Sequence, residues 1–588
     1  MGGAPVFFSQ SGALFATMRG MNLKHRIDVA AGRKPADLLL RNANVVSVFA
    51  DALVKTDVAI ADGVIAGFGN YRARKSVDLK GGYLSSGLID SHLHIESTML
   101  SPAEFARAVV PRGTTSVVAD PHEIANVMGE AGVRWMISAS AGLPLDIYIV
   151  LPSCVPESPF ADSGARLGAR ELKRLAGLPR VVGIGEVMDF PGVIAGKQEL
   201  LDKIRLIPGM RVDGHAPGLS GKNLAAYIAA GIHSDHESTR IGEAAEKLFC
   251  GLHLMVREGT TEKNLAEIAP LITPANSHRC FFCSDDRSPV DLIRNGHIDD
   301  ILRRAVRAGM PPITALQMAT NNAPYYFRLP RRKGAVAVGY AADLVVFGSL
   351  RKFDARMVFK GGKLVAREGE LIATLPRRAP IPRNTMRVAG LSLKRFELKT
   401  HKRRARVIGI VPGQIVTKAL ETAIRPEAGV VRQDTRRDVL KLAVIDRHHA
   451  SGRMGLGLVR GFGLRRGALA STVCHDSHNL IVVGASDEDM LAAAEALISC
   501  GGGFAAVAGG RVEGRMPLPI AGLMSEKGAA EVAAGYRSVC RAAVRMGSAL
   551  PDPFLQLSFL ALSVIPKLKL TDRGLIDTEE MRFVSLFI

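Results

Sequence analysis

From Gly87 the chain alternates short apolar runs with amphipathic stretches. The runs GLIDSHLHI, TTSVVAD, LDIYIVLP, VVGIGEVMD, MRVDGHAP, IHSDHES, LHLMVREG and CFFCSDD give eight strand candidates. Helix signals lie between them. Ser101-Pro102-x-Glu104 supplies a capping box with proline at the first helical position, and KNLAAYIAAG ends on a glycine stop. This alternation predicts a (β/α)8 TIM-type barrel over residues 87–330. A doubly wound sheet is the alternative, and it accounts less well for where the polar residues fall.

The flanks follow another pattern. Residues 36 to 84 read as short strands with tight turns, as in VKTDVAIADGVIAGFG, where Asp62-Gly63 is a hairpin signal. The same β character returns in GAVAVGYAADLVVFGSL from Gly334. The pattern predicts a small β-sandwich module split into 35–86 and 331–385, with the barrel inserted between its halves. LPRRAPIPRN at 375 to 384 reads as a linker. Residues 400–588, with KLAVIDRHH, HNLIVVGAS, DEDMLAAAEALISC and GGGFAAVAGG, predict a C-terminal mixed α/β domain. GLGLVRG there is one residue off the dinucleotide fingerprint and is not read as a nucleotide site. Residues 1–34 form an N-terminal extension.

At 588 residues, 47% hydrophobic and 22% charged, the chain has the composition of a well-cored soluble protein of several domains. Its 76 Lys+Arg against 56 Asp+Glu give a net charge of +20. The basic residues are scattered, with only short clusters such as Arg331-Arg332-Lys333 and Lys402-Arg403-Arg404, and aromatics are 5%. That favours a solvated basic surface over a nucleic-acid site. Seven cysteines are too few for a disulfide framework, and the lone C-x-x-C of Cys280 and Cys283 reads as buried strand packing. Neither a long apolar span nor a signal peptide is evident, so the expectation is a cytoplasmic protein without a membrane partner.

The candidate chemistry sits at the C-terminal ends of the predicted strands. Strand one ends in His92-Leu93-His94, whose i, i+2 spacing puts both imidazoles on one face. Alone, such a pair is more often a polar strand end than a ligand pair. Strand four ends in Glu186, strand five in His215, strand six in His236 and strand eight in Asp285. Each has an ordinary structural explanation: an arginine partner for Glu186, a loop cap for His215, a helix cap for Asp285. In a barrel, however, these ends converge on one mouth.

Imidazole and carboxylate without thiolate suit zinc, manganese or iron(II). Four histidines and two carboxylates exceed what one catalytic metal needs, which points to two divalent ions bridged by a carboxylate. Strand six offers both His233 and His236, on opposite faces, and His236 at the strand end is the chosen ligand. His122 and Glu123 end strand two. His122 is assigned to stabilising substrate or intermediate, against a local hydrogen bond to Asp120. For His448, His449, His475 and His478 a surface or packing role is expected in preference to another metal site, although His478 reaches the mouth if its domain folds over it.

GLIDSHLHIEST, ADPHEIANVMG, GIGEVMDF, DGHAPGLSG, SDHES and SDDR resemble, in order, the barrel motifs of the bacterial and archaeal adenine deaminases of the amidohydrolase superfamily. HDSHNLIVVG and MPLPIAGLMS resemble that family's C-terminal domain, so the resemblance runs from about residue 35 onward. It implies that His92 and His94 bind one metal with Asp285 beside it, that His215 and His236 bind the second, and that Glu186 bridges both where many relatives use a carboxylated lysine. It also implies manganese or iron(II) in preference to zinc, a homodimer, and hydrolysis of adenine to hypoxanthine and ammonia by a metal-bound hydroxide attacking C6. Asp285 is then the candidate to carry the proton to the departing nitrogen, and Glu237 the candidate for the purine ring nitrogen.

Two rivals remain. A hydantoinase, dihydroorotase or sugar deacetylase shares the scaffold, but Glu186 and the DPHE run count against it. A catalytically dead scaffold predicts lost ligands, and all six are present.

Overall fold

The computed structural model describes residues 23–329, 332–377, 379–382 and 384–588. Residues 1–22 of the expected extension, Arg331 of the basic cluster, and Arg378 and Arg383 of the expected linker lie outside the described residues.

Five strands come before the barrel: β1 (Leu38–Ser47), β2 (Ala52–Ala61), β3 (Val64–Phe68), β4 (Ser76–Asp78) and β5 (Tyr83–Ser86). Asp62 and Gly63, both at positive φ, turn β2 into β3 as a tight hairpin requires. The barrel strands are β6 (Leu88–Leu93), β7 (Thr114–Ala119), β8 (Asp146–Leu151), β9 (Val181–Val187), β10 (Arg211–Gly214), β11 (Ser234–Asp235), β12 (His253–Arg257) and β13 (Cys280–Cys283). Then come β14 (Leu344–Phe347), β15 (Ala355–Lys360), β16 (Lys363–Arg367) and β17 (Glu370–Leu371).

β6 to β10 pair in parallel, each with the next, and so do β11 to β13. Two hydrogen bonds close the ring. The His233 N–H donates to Val212 O at 3.0 Å between β11 and β10, and the Asp285 N–H donates to His92 O at 3.1 Å beside a parallel bridge from Leu93 to Asp285. The result is a TIM-type barrel. β6, β7 and β13 are buried at every residue, because one face fills the barrel and the other meets the helices. Cys280 and Cys283 are free thiols in that core, as their apolar run suggests.

Where the sequence predicts a sandwich, hydrogen bonding joins the flanking strands into one nine-stranded sheet, β5 lying between β1 and β14. The reason lies in β1. A register shift between Leu40 and Ala43 lets its first half pair with β4 and its second half with β5, while β2 covers its other edge. The capping box is likewise half formed: Ser101 accepts the Glu104 N–H, but its own N–H donates to Ser525 O at 2.9 Å. This contact ties the first barrel helix to the C-terminal region.

In that region an eight-stranded sheet runs from Thr417–Ala423 at one edge to Arg511–Pro517 at the other. Met490, Ala493, Ala494 and Leu497 of the helix Asp487–Ile498 pack on its face against Ala468, Val482 and Val507. GLGLVRG is part of a strand of this sheet, Met454–Arg460. Pro380 of the predicted linker lies against the barrel: the Trp135 indole donates to its carbonyl at 2.8 Å. Among the described residues no helix is long and apolar enough to cross a membrane.

Candidate metal centre

Glu186 ends β9 near the centre of the barrel mouth, and its two oxygens face different residues. Oε1 lies 3.1 Å from His92 Nε2 and 2.9 Å from His94 Nε2, both delivered by β6. Oε2 lies 2.7 Å from His215 Nδ1 and 3.6 Å from His236 Nε2, which follow β10 and β11. Asp285 closes the first side, with Oδ1 3.7 Å from His92 Nε2 and 3.2 Å from His94 Nε2. His236, and not His233, enters this cluster; His233 Nδ1 instead accepts the Val212 N–H.

The backbone explains how so many polar groups fit together. A Cβ on Gly185 would stand 1.9 Å from Asp120 Oδ2, so glycine there leaves room for the Asp120 carboxylate next to Glu186. Asp285 adopts φ 51°, a left-handed conformation that aspartate tolerates and that turns its carboxylate into the mouth.

The donor chemistry fits divalent cations. Both ring nitrogens of His92, Nδ1 of His236 and Oε1 of Glu186 are buried without a hydrogen-bond partner. His94 Nδ1 bonds to the Asp120 carbonyl at 2.9 Å, which places its proton there and leaves the Nε2 lone pair aimed at Glu186 and Asp285. Burial opposes charge on His94, yet Asp285 and Glu186 beside it hold its pKa well above the usual imidazole value. Burial would likewise raise Glu186 and Asp285, but the surrounding histidines hold both well below the carboxylate range. The site therefore favours positive charge between two carboxylates, as a cation site requires.

Around the cluster, His122 Nδ1 is buried without a hydrogen-bond partner, 3.8 Å from both Glu186 Oε1 and Asp120 Oδ1. The alternative reading of His122, a local bond to Asp120, is not formed at that distance. Glu237 Oε1 lies 3.3 Å from His236 Nε2. Arg257, at the end of β12, donates through Nη1 to Glu237 Oε1 and, at 3.0 Å, to Asp285 Oδ2. Despite burial, this guanidinium holds Glu237 far below the carboxylate range. Arg257 is absent from the predicted set, although its place at a strand end is the signal that found the others.

Two C-terminal histidines also arrive at the mouth. His475 Nδ1 lies 2.7 Å from Glu123 Oε1, and His478 Nε2 bonds to Glu123 Oε2. Both are buried at the barrel, so of the surface or packing role expected for them they take the buried one, and His478 reaches the mouth as its alternative reading allows; nothing in HDSHNLIVVG pointed to Glu123 as the partner. His448 and His449 have structural partners, the carbonyls of Ser477 and Ser163.

Residues 83–365 match the amidohydrolase family, and residues 414–582 match the adenine deaminase C-terminal domain. The chain is 50% identical over 566 residues to adenine deaminase 2 of Carboxydothermus hydrogenoformans, covering 96% of this chain and 99% of the relative. It is 48% identical over 571 residues to an adenine deaminase of Nitratidesulfovibrio vulgaris, with the same coverage, 96% and 99%. The chain belongs to the adenine deaminase family. Within the family match, the first segment holds every residue of the cluster and the second holds His475 and His478. A solved dihydropyrimidinase from Brevibacillus agri is similar at 16% identity and a TM-score of 0.44, covering 57% of this chain and 96% of that one.

Proposed function

We infer that this protein hydrolyses adenine to hypoxanthine and ammonia, as its family membership indicates, at the mouth of the barrel. The observation that carries the site assignment is the division of Glu186: one oxygen faces His92, His94 and Asp285, the other His215 and His236. Those residues would hold two divalent ions bridged by Glu186, with manganese or iron(II) the preferred occupants. Bound there, the ions supply Lewis acidity and lower the pKa of water.

The chain's own groups handle the protons. Attack of water at C6 releases two protons, one required by the departing amine and one by the purine ring. Asp285 accepts the first through Oδ1, which lies beside His94 Nε2, while Arg257 anchors Oδ2, and then passes it to the amine. Glu237 relays the second proton from the attacking water to the ring nitrogen and then, kept as a carboxylate by Arg257, accepts the hydrogen bond of that N–H. His122 stabilises the intermediate through Nδ1.

We read residues 87–330 as the metal-dependent unit, 35–86 with 331–385 as the small β module, and 400–588 as a C-terminal unit. The test is ammonia release from adenine, with adenosine, guanine, cytosine and a hydantoin in parallel, on protein stripped by chelator and reloaded with manganese, iron(II) or zinc. Metal-dependent hypoxanthine formation from adenine alone is expected. Turnover of another ring with silence on adenine would overturn the reading.

A further inference from the structure

Glu123 occupies an unusual position. It begins the helix His122–Met128 on the barrel, yet its carboxylate is gripped from the C-terminal region by His475 Nδ1 and His478 Nε2. Its Oε1 also lies 3.6 Å from His122 Nε2. A chain of polar groups thus runs from the C-terminal region through Glu123 and His122 to Glu186.

Three imidazole and carboxylate ligand atoms this close also suit a cation, but the tautomer argues otherwise. His478 Nδ1 accepts the Cys474 N–H at 3.2 Å, so that nitrogen is unprotonated and Nε2 carries the hydrogen directed at Glu123. It is a donor there and not a ligand.

The 474–478 turn is built to present these two imidazoles. The His478 N–H bonds back to Cys474 O at 2.7 Å. Its carbonyl accepts from Arg447, which is wholly buried and also binds Thr385 O and Ala521 O. His448 Nε2 holds Ser477 O at 2.7 Å. The His475 ring stacks on Phe559, with centroids 5.0 Å apart and planes 13° from parallel.

We propose that His475 and His478 are positioning residues for deamination: the C-terminal region completes the barrel's site by holding Glu123 against His122 Nε2, which orients the Nδ1 that faces the reaction. This rests on the role given to His122 above. The two histidines act through Glu123.

Amide swaps at constant polarity test it. Asparagine at 475 keeps an N–H near the Nδ1 position, and glutamine there removes it; at 478, glutamine keeps an N–H near Nε2, and asparagine removes it. With misplacement at an active site costing about 100-fold, His475→Gln and His478→Asn should lower kcat for adenine by about 10- to 100-fold at little changed KM. His475→Asn and His478→Gln should stay within about threefold of the parent, and in a Glu123→Gln background the damaging swaps should cost less than about twofold more. Bound metal per chain should be constant throughout.

Equal losses within each amide pair, undiminished losses in the Glu123→Gln background, or metal loss in all four variants would overturn the proposal. His122→Asn measured alongside separates its failure from that of the underlying reading. A dead His122 variant beside indifferent His475 and His478 variants sinks the proposal alone, whereas an active His122 variant sinks both.

Discussion

Arg257 Nη1 donates to Asp285 Oδ2 at 3.0 Å, so the carboxylate assigned to proton transfer is anchored on one oxygen while the other, Oδ1, lies 3.2 Å from His94 Nε2. The same nitrogen binds Glu237, and all three residues are buried. Removing the arginine would leave two buried carboxylates without their cation. Arg257→Met should therefore lower stability by about 3–5 kcal/mol in urea denaturation, the usual cost of breaking a buried ion pair from one side. Adding Glu237→Gln should recover a large part of that loss. A single variant as stable as the parent would show that the pair is dispensable.

Asp285→Asn keeps the shape but removes the base. With general acid–base catalysis worth typically 10²–10⁴-fold, kcat should fall by about 100-fold or more while KM for adenine moves little. Near-normal turnover would remove Asp285 from proton transfer.

Glu186 reaches both halves of the cluster, one oxygen on each side. Glu186→Gln should fold, judged by circular dichroism, but retain less than about half of the metal, since one neutral amide replaces a charge shared by two ions. Full occupancy by elemental analysis would mean that Glu186 does not bridge.

The barrel was legible because each parallel strand is buried on both faces and writes itself as a short apolar run, and because the ligands sit where those runs end. His92, His94, Glu186, His215, His236 and Asp285 share that signature, and the structure brings all six together. Arg257 shares the position too, but a lone arginine after an apolar run reads equally well as a solvated strand end. His475 and His478 lie over 350 residues from Glu123 in the chain, and a hydrogen bond at that separation leaves no local pattern. The continuous sheet was hidden for a related reason, since a bulge in β1 decides which neighbours it can pair with.

A buried lysine of the C-terminal region offers a test of the packing itself. Lys569 is fully buried, and its ammonium donates to the carbonyls of Ile415 at 2.8 Å and Phe559 at 2.9 Å. Burial pushes its pKa down to about 7. The unfolded chain, with an ordinary lysine pKa, binds more protons than the folded one between about pH 7 and 10, so this group makes stability rise with pH across that window. The cost is fully present below pH 7 and is relieved above it. Lys569→Met should remove this dependence, reducing the slope of unfolding free energy against pH by about 1 kcal/mol per pH unit between pH 7.5 and 9.5. Parallel slopes in parent and variant would mean that Lys569 stays charged in the fold, with water reaching its ammonium.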